Sequence, residues 1–204
     1  FDGYSIQEFK ANKSNPNSIS GNIITTLAED WEGNLWIGTR SNGISVLNLA
    51  TNQIRQILPG GAEKLPEGSV RKILITEDRH ILVATQGGGL CKFDVQTETF
   101  KQYRHDAANP QSISNDNVFS IVEDSPGIFW VGTHSGAVDR FNLREGSFER
   151  FVYDDRFVLS QTNRKPLFID RGNNLWIGTD GNGLVKFNAA RTKFDYFTVG
   201  SGKL

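Results

Sequence analysis

The chain has 204 residues, with 22 lysines and arginines against 23 aspartates and glutamates and a formal net charge of −1. With no basic surplus, nucleic acid and anionic membranes are excluded as main partners, since both ordinarily demand a basic face. No stretch approaches the roughly 20 apolar residues of a membrane-spanning helix, and a single cysteine, Cys91, excludes an intrachain disulfide.

Residues 1–10 open on Phe1-Asp2 and contain no start methionine; the whole chain lacks methionine. They resemble the tail of a repeat found later, with Ile6 and Phe9 at its two apolar positions. They are therefore predicted to form the outer strand of a preceding unit, and the chain reads as a piece of a longer protein.

From Asp30 onward a motif recurs. Gly33-Asn34-Leu35-Trp36-Ile37-Gly38-Thr39 returns almost letter for letter at Gly172-Asn173-Asn174-Leu175-Trp176-Ile177-Gly178-Thr179, more loosely at Gly127 to Thr133, and in degenerate form at Ile81 to Thr85. Thr39, Thr85, Thr133 and Thr179 fall 46, 48 and 46 residues apart. A period in that range marks a repeat architecture.

Each repeat reads as four short strands separated by Gly, Asn, Asp and Ser. The first ends at Asp30, Asp78, Asp124 or Asp170, with copy two lacking two residues in the turn that follows. The second is the Trp-containing run. The third ends at Asn48, Asp94, Asn142 or Asn188. The fourth carries apolar residues six and nine positions later: Ile54 and Ile57, Phe100 and Tyr103, Phe148 and Phe151, Phe194 and Phe197. A one-residue slip would put these side chains on the wrong face, so the constant offsets report a constant register.

Four antiparallel strands per repeat of this length describe a β-propeller blade. The predicted fold is all-β, with four blades after the leading outer strand: 11–58, 59–104, 105–153 and 154–204. Trp36, Trp130 and Trp176 are expected in equivalent buried sites between blades, with Leu82 substituting in blade 2. The four aspartates are expected to order strand-end turns through backbone amides.

Chemistry-bearing clusters are scarce. His80, His105 and His134 lack metal-ligand spacing, and Gly87-Gly88-Gly89 opens a strand without the Lys and Ser/Thr of a phosphate loop. No cofactor, metal site or nucleophile is expected. The turns between second and third strands share one face with the inter-blade linkers. That face collects Arg40, Asn42, Gln86, His134, Asp180 and Asn182, side chains suited to sugar hydroxyls and carboxylates, with Tyr153 as a candidate stacking residue.

The pattern Asp-x-x-Gly-Asn-Leu-Trp-Ile-Gly-Thr-x-x-x-Gly-Leu, read at Asp30 to Ile44 and Asp170 to Leu184, resembles the two-component regulator propeller repeat. So do the linkers Asn15-Pro16-Asn17-Ser18-Ile19-Ser20 and Asn109-Pro110-Gln111-Ser112-Ile113-Ser114. The resemblance implies a fragment of a seven-bladed periplasmic sensor domain from a Bacteroidetes hybrid two-component system. It further implies an oligosaccharide ligand and signalling to a membrane-bound histidine kinase outside this chain. A metal-dependent propeller lyase and a protein-interaction platform are the alternatives. An open arc of four blades would expose apolar faces, so association through the terminal blades, or tight closure, is also expected.

Overall fold

In the computed structural model, residues 6–60, 64–135, 137–152, 166–179 and 183–198 are described. They form sixteen strands and, among the described residues, no helix. Strands β1 to β4 (Ile24–Glu29, Asn34–Thr39, Ile44–Asn48, Ile54–Ile57) make the first sheet, and β5 to β8 (Val70–Ile75, Ile81–Thr85, Leu90–Asp94, Thr99–Tyr103) the second. The third contains β9 to β12 (Val118–Ser125, Ile128–Thr133, Ala137–Asn142, Ser147–Val152). The fourth contains β13 to β16 (Leu167–Ile169, Leu175–Gly178, Leu184–Phe187, Phe194–Phe197). Each sheet is an antiparallel meander in sequence order. The first strands β1, β5, β9 and β13 neighbour one another, so they form the inner edge of the array. These are propeller blades.

Packing explains the offsets. Along β2, Trp36 points toward blade 2 and Ile37 toward the leading segment. One core joins Trp36, Ile44 and Val46 to Ile73, Val83, Phe93 and Phe100 of blade 2. The same rule unites Leu82 and Tyr103 with Ile121, Phe141 and Phe148, and Trp130 and Phe151 with Ile177, Phe187 and Phe194. The apolar residue at offset six therefore faces the preceding blade and that at offset nine the following one, as strand alternation requires. Middle strands covered on both faces are buried throughout, as β6 is.

At the leading end, Ile37, Leu47 and Ile54 pack beneath Phe9, Ala11 and Ile19. Residues 6–10 form no strand, and 1–5 lie outside the described residues. Leu27 is 57% exposed although its equivalents Ile73, Ile121 and Leu167 are buried against a preceding blade. At the other end Phe168 is 63% exposed and Leu184 37%.

Two expectations need correction. The register pairs Leu74 with Leu82 and Ile75 with Ile81, as Ala28 pairs with Trp36 and Glu29 with Leu35. The counterpart of Asp30 is therefore Thr76, not Asp78, and blade 2 lacks no residues in this turn. Thr76 repeats the Asp30 backbone bonds, with its N–H on the His80 carbonyl and its carbonyl accepting from Arg79. Arg79 takes the left-handed φ of 62° that Gly33 supplies in blade 1. Second, Trp36 and Trp130 are buried at 2% and 0%, whereas Trp176, in the last blade, is only partly buried.

The aspartates do more than order turns. Asp30 Oδ1 accepts the Glu32 and Asn34 amides, and its Oδ2 accepts the Trp36 indole N–H at 2.8 Å. Asp170 binds the Asn174 amide and the Trp176 indole in the same way. Asp124 departs from this: Ile128 pairs with Ser125 and Phe129 with Glu123, leaving Asp124 in a bulge, and its carboxylate pairs with Arg191 of blade 4.

The Trp176 indole and the Asn174 amide hold the Asp170 carboxyl down to about 2. An unfolded aspartate titrates near 4. The stabilisation is therefore full above about pH 4 and is lost as pH falls toward 2. The Trp176 indole N–H resonance is expected to shift across that window, and Asp170→Asn should abolish the shift.

Gly38 is required by close approach, because a Cβ there would lie 2.5 Å from Thr26 and 2.7 Å from Val70 of the next blade. Cys91 is fully buried, and burial pushes its thiol up to about 12. Thiol reagents at neutral pH are expected to label it only after denaturation.

Candidate ligand-binding face

The second-to-third-strand turns and the segments leading into each first strand meet on one face, and backbone bonds fix them in a repeated frame. The Arg40 N–H bonds the Ile23 carbonyl, the Gln86 N–H that of Ser69, and the His134 N–H that of Asn117. The turns of blades 1 and 2 also reach the next blade: Gly43 N–H bonds the Gly68 carbonyl, and the Gly87 and Gly89 N–H groups both bond the Asp116 carbonyl. Thr39, Thr85 and Thr179 close their turns by donating to the carbonyls of Gly43, Gly89 and Gly183. Thr133 instead bonds the hydroxyls of Ser114 and Ser135.

Upon this frame the side chains differ. Arg40 and Asn42 are exposed, and Gln86 and His134 are half-buried. Asp180, Asn182 and Tyr153 lie outside the described residues. Two residues that sequence reasoning missed, Arg71 and Phe119, complete the face. The first strands carry a bulge at Thr25 and Arg71, and β9 is irregular at the equivalent Phe119. A bulge re-aims its side chain. Thr25 bonds the Val70 carbonyl across the blade junction at 2.8 Å. Arg71 donates to the Gln86 side-chain carbonyl, and its guanidinium lies 5.7 Å from the Phe119 ring centre. Phe119 meets the His134 ring edge-on at 6.3 Å. Arg71, Gln86, Phe119 and His134 thus form one strip across blades 2 and 3.

Asp116 anchors the neighbouring linker, accepting from Arg104 at 2.7 Å and from the His105 amide at 2.7 Å. The His105 ring is engaged with the Ile113 carbonyl at 2.8 Å. His80 lies in the turn on the opposite face, where burial, aided by Lys92 and opposed by Asp78, lowers its pKa. Among the described residues no group of three or more His, Cys, Asp or Glu converges as a metal site would require.

The strip offers a guanidinium, a carboxamide, an imidazole and an aromatic face. This set can donate to hydroxyls and carboxylates while stacking on a ring. It shows no nucleophile paired with a base.

The array is thus a run of propeller blades with a variable face on a fixed frame. Residues 18–41 and 112–135 match the model of the two-component regulator propeller. It is 29% identical over 163 residues, 79% of its length, to a segment of histidine kinase P4 of Formosa agariphila, spanning 12% of that protein. Solved structures with the same fold include extracellular domains assigned to hybrid two-component systems of Bacteroides thetaiotaomicron. One has a TM-score of 0.73 at 19% identity, covering 87% of this chain and 25% of that one. Another has 0.70 at 22% identity, covering 88% and 23%. The virginiamycin B lyase of Staphylococcus aureus shares the fold at 0.67 and 16% identity, covering 88% and 56%.

Proposed function

We propose that this chain is part of a non-catalytic, extracytoplasmic ligand-sensing propeller in a two-component sensor. Its ligand is a carbohydrate fragment held on the face that carries Arg71, Gln86, Phe119 and His134, and the signal passes to a histidine kinase outside this chain. The reading rests on one observation: equivalent backbone sites carry different side chains, Arg40, Gln86 and His134 at turn positions fixed by the same hydrogen bond, and Thr25, Arg71 and Phe119 at the same first-strand irregularity. A purely architectural repeat has no need to diversify these sites while keeping their frame. The similarity to histidine kinase P4 supports the sensor context, and the similar extracellular domains support a periplasmic location.

Calorimetry with neutral and acidic oligosaccharides tests the proposal. Binding is expected to weaken at least about tenfold in Arg71→Ala and in Phe119→Ala, the loss of a stacking or charge-assisted contact. Arg79→Ala on the opposite face should bind as the parent does. Affinity unchanged by both face substitutions would reject this site. Sugar turnover abolished by EDTA would instead favour the lyase reading that the shared fold allows.

A further inference from the structure

The ligand face depends on how each lead-in segment is fastened, and the blades solve this differently. The third-strand position opposite Ile37, Val83 and Val131 is Ser45, Cys91 and Asp139. In blade 1 Ser45 Oγ accepts the Ser20 N–H at 2.7 Å. In blade 2 the counterpart of Ser20 is Pro66, which has no N–H to satisfy, and the third-strand residue is the apolar Cys91. In blade 3 the counterpart is Ser114, and a carboxylate takes over: Asp139 Oδ2 accepts the Ser114 N–H at 2.9 Å and the Ser114 hydroxyl at 2.6 Å.

Asp139 is fully buried, with the Arg150 Nε 3.8 Å from its Oδ1. Burying a carboxylate is costly unless it is well bonded, and blade 1 fastens the same segment with a serine. The carboxylate reaches further than the serine does. Through Ser114 it ties in Thr133 Oγ1 at 2.6 Å and Ser135 Oγ at 3.0 Å, the two residues flanking His134. The segment it anchors ends at Asn117, whose carbonyl holds the His134 N–H. Both sides of His134 and its backbone partner therefore hang on one buried carboxylate.

We propose that Asp139 is a positioning residue of the ligand face, setting the placement of His134 against Phe119. This rests on reading that face as the binding site, although the positioning itself can be measured without ligand. Asp139→Val installs the residue that blade 4 carries at this position, Val185, and removes the acceptor. Asp139→Ser installs the blade-1 solution.

In NMR spectra of the ligand-free chain, the His134 ring protons of the Val variant are expected to lose most of their ring-current displacement by Phe119. The Trp36 indole resonance, in the blade 1–2 core, should stay in place. The Ser variant should retain the His134 displacement. His134 signals like the parent's in the Val variant would overturn the proposal. So would equal movement of His134 and Trp36, or failure of both variants to fold. With the oligosaccharide panel, the Val variant should match His134→Ala in weakening binding. Correct NMR shifts without sugar binding by the parent chain would reject the ligand reading alone.

Discussion

Replacing Trp130 with alanine is expected to destabilise the chain by about 3–5 kcal/mol, the range for deleting a buried aromatic side chain. Its indole is fully buried. It sits edge-on to Phe151 at 5.2 Å and Phe187 at 5.8 Å, with the Arg191 guanidinium 5.3 Å from its centre. No neighbour can fill the hole without breaking the blade 3–4 junction. Trp176→Ala should cost clearly less, because that ring is partly exposed and packs beside Phe197 alone among aromatic rings of the described residues. Phenylalanine substitutions add a sharper contrast. Trp36→Phe removes the donor to Asp30 and leaves a carboxylate short of a partner. Trp130→Phe loses no hydrogen bond, since the Trp130 N–H has none. Urea denaturation of the four variants checks both orderings, and a Trp176→Ala cost equal to that of Trp130→Ala would contradict this account of the junctions.

Arg191→Ala is expected to be the second large effect, up to about 3–5 kcal/mol, the cost of stranding a buried charge. Arg191 reaches from blade 4 to the Asp124 carboxylate, both side chains mostly buried at 14% and 11% exposed. It also donates to the Asn173 and Asn188 carbonyls at 2.8 and 3.1 Å and stacks over Trp130. Arg140 stands 3.9 Å from Asp124 and offsets part of the loss. Because the damage comes from the unpaired carboxylate, adding Asp124→Asn should restore a good part of the stability. A double-mutant cycle with additive losses would show that the pair is not coupled.

The blade count, the strand order and the placement of the buried Trp residues were legible because a rigid register repeats them: the Thr period and the offsets of six and nine survive every substitution. The turn in blade 2 misled because an aspartate lies close by in sequence. Thr76 fills the position, and its hydroxyl accepts the His80 amide at 3.0 Å much as Asp30 accepts that of Asn34. Residue type suggested one alignment, and hydrogen-bond capacity selected another. Arg71 and Phe119 were hidden for a different reason: a bulge breaks the two-residue period at that point, so alternation alone gives no side for either side chain. Likewise Asp124 looked like its counterparts, yet a partner 67 residues away in sequence redirects it. Local pattern carries no trace of such a partner.

Amide chemical-shift mapping during titration with a bound oligosaccharide tests the central claim most directly. The account predicts perturbations concentrated at Arg71, Gln86, Asn117, Phe119 and His134, extending to Arg40. Perturbations centred instead on the opposite turns, around Glu32, Arg79 and Asn173, would contradict it.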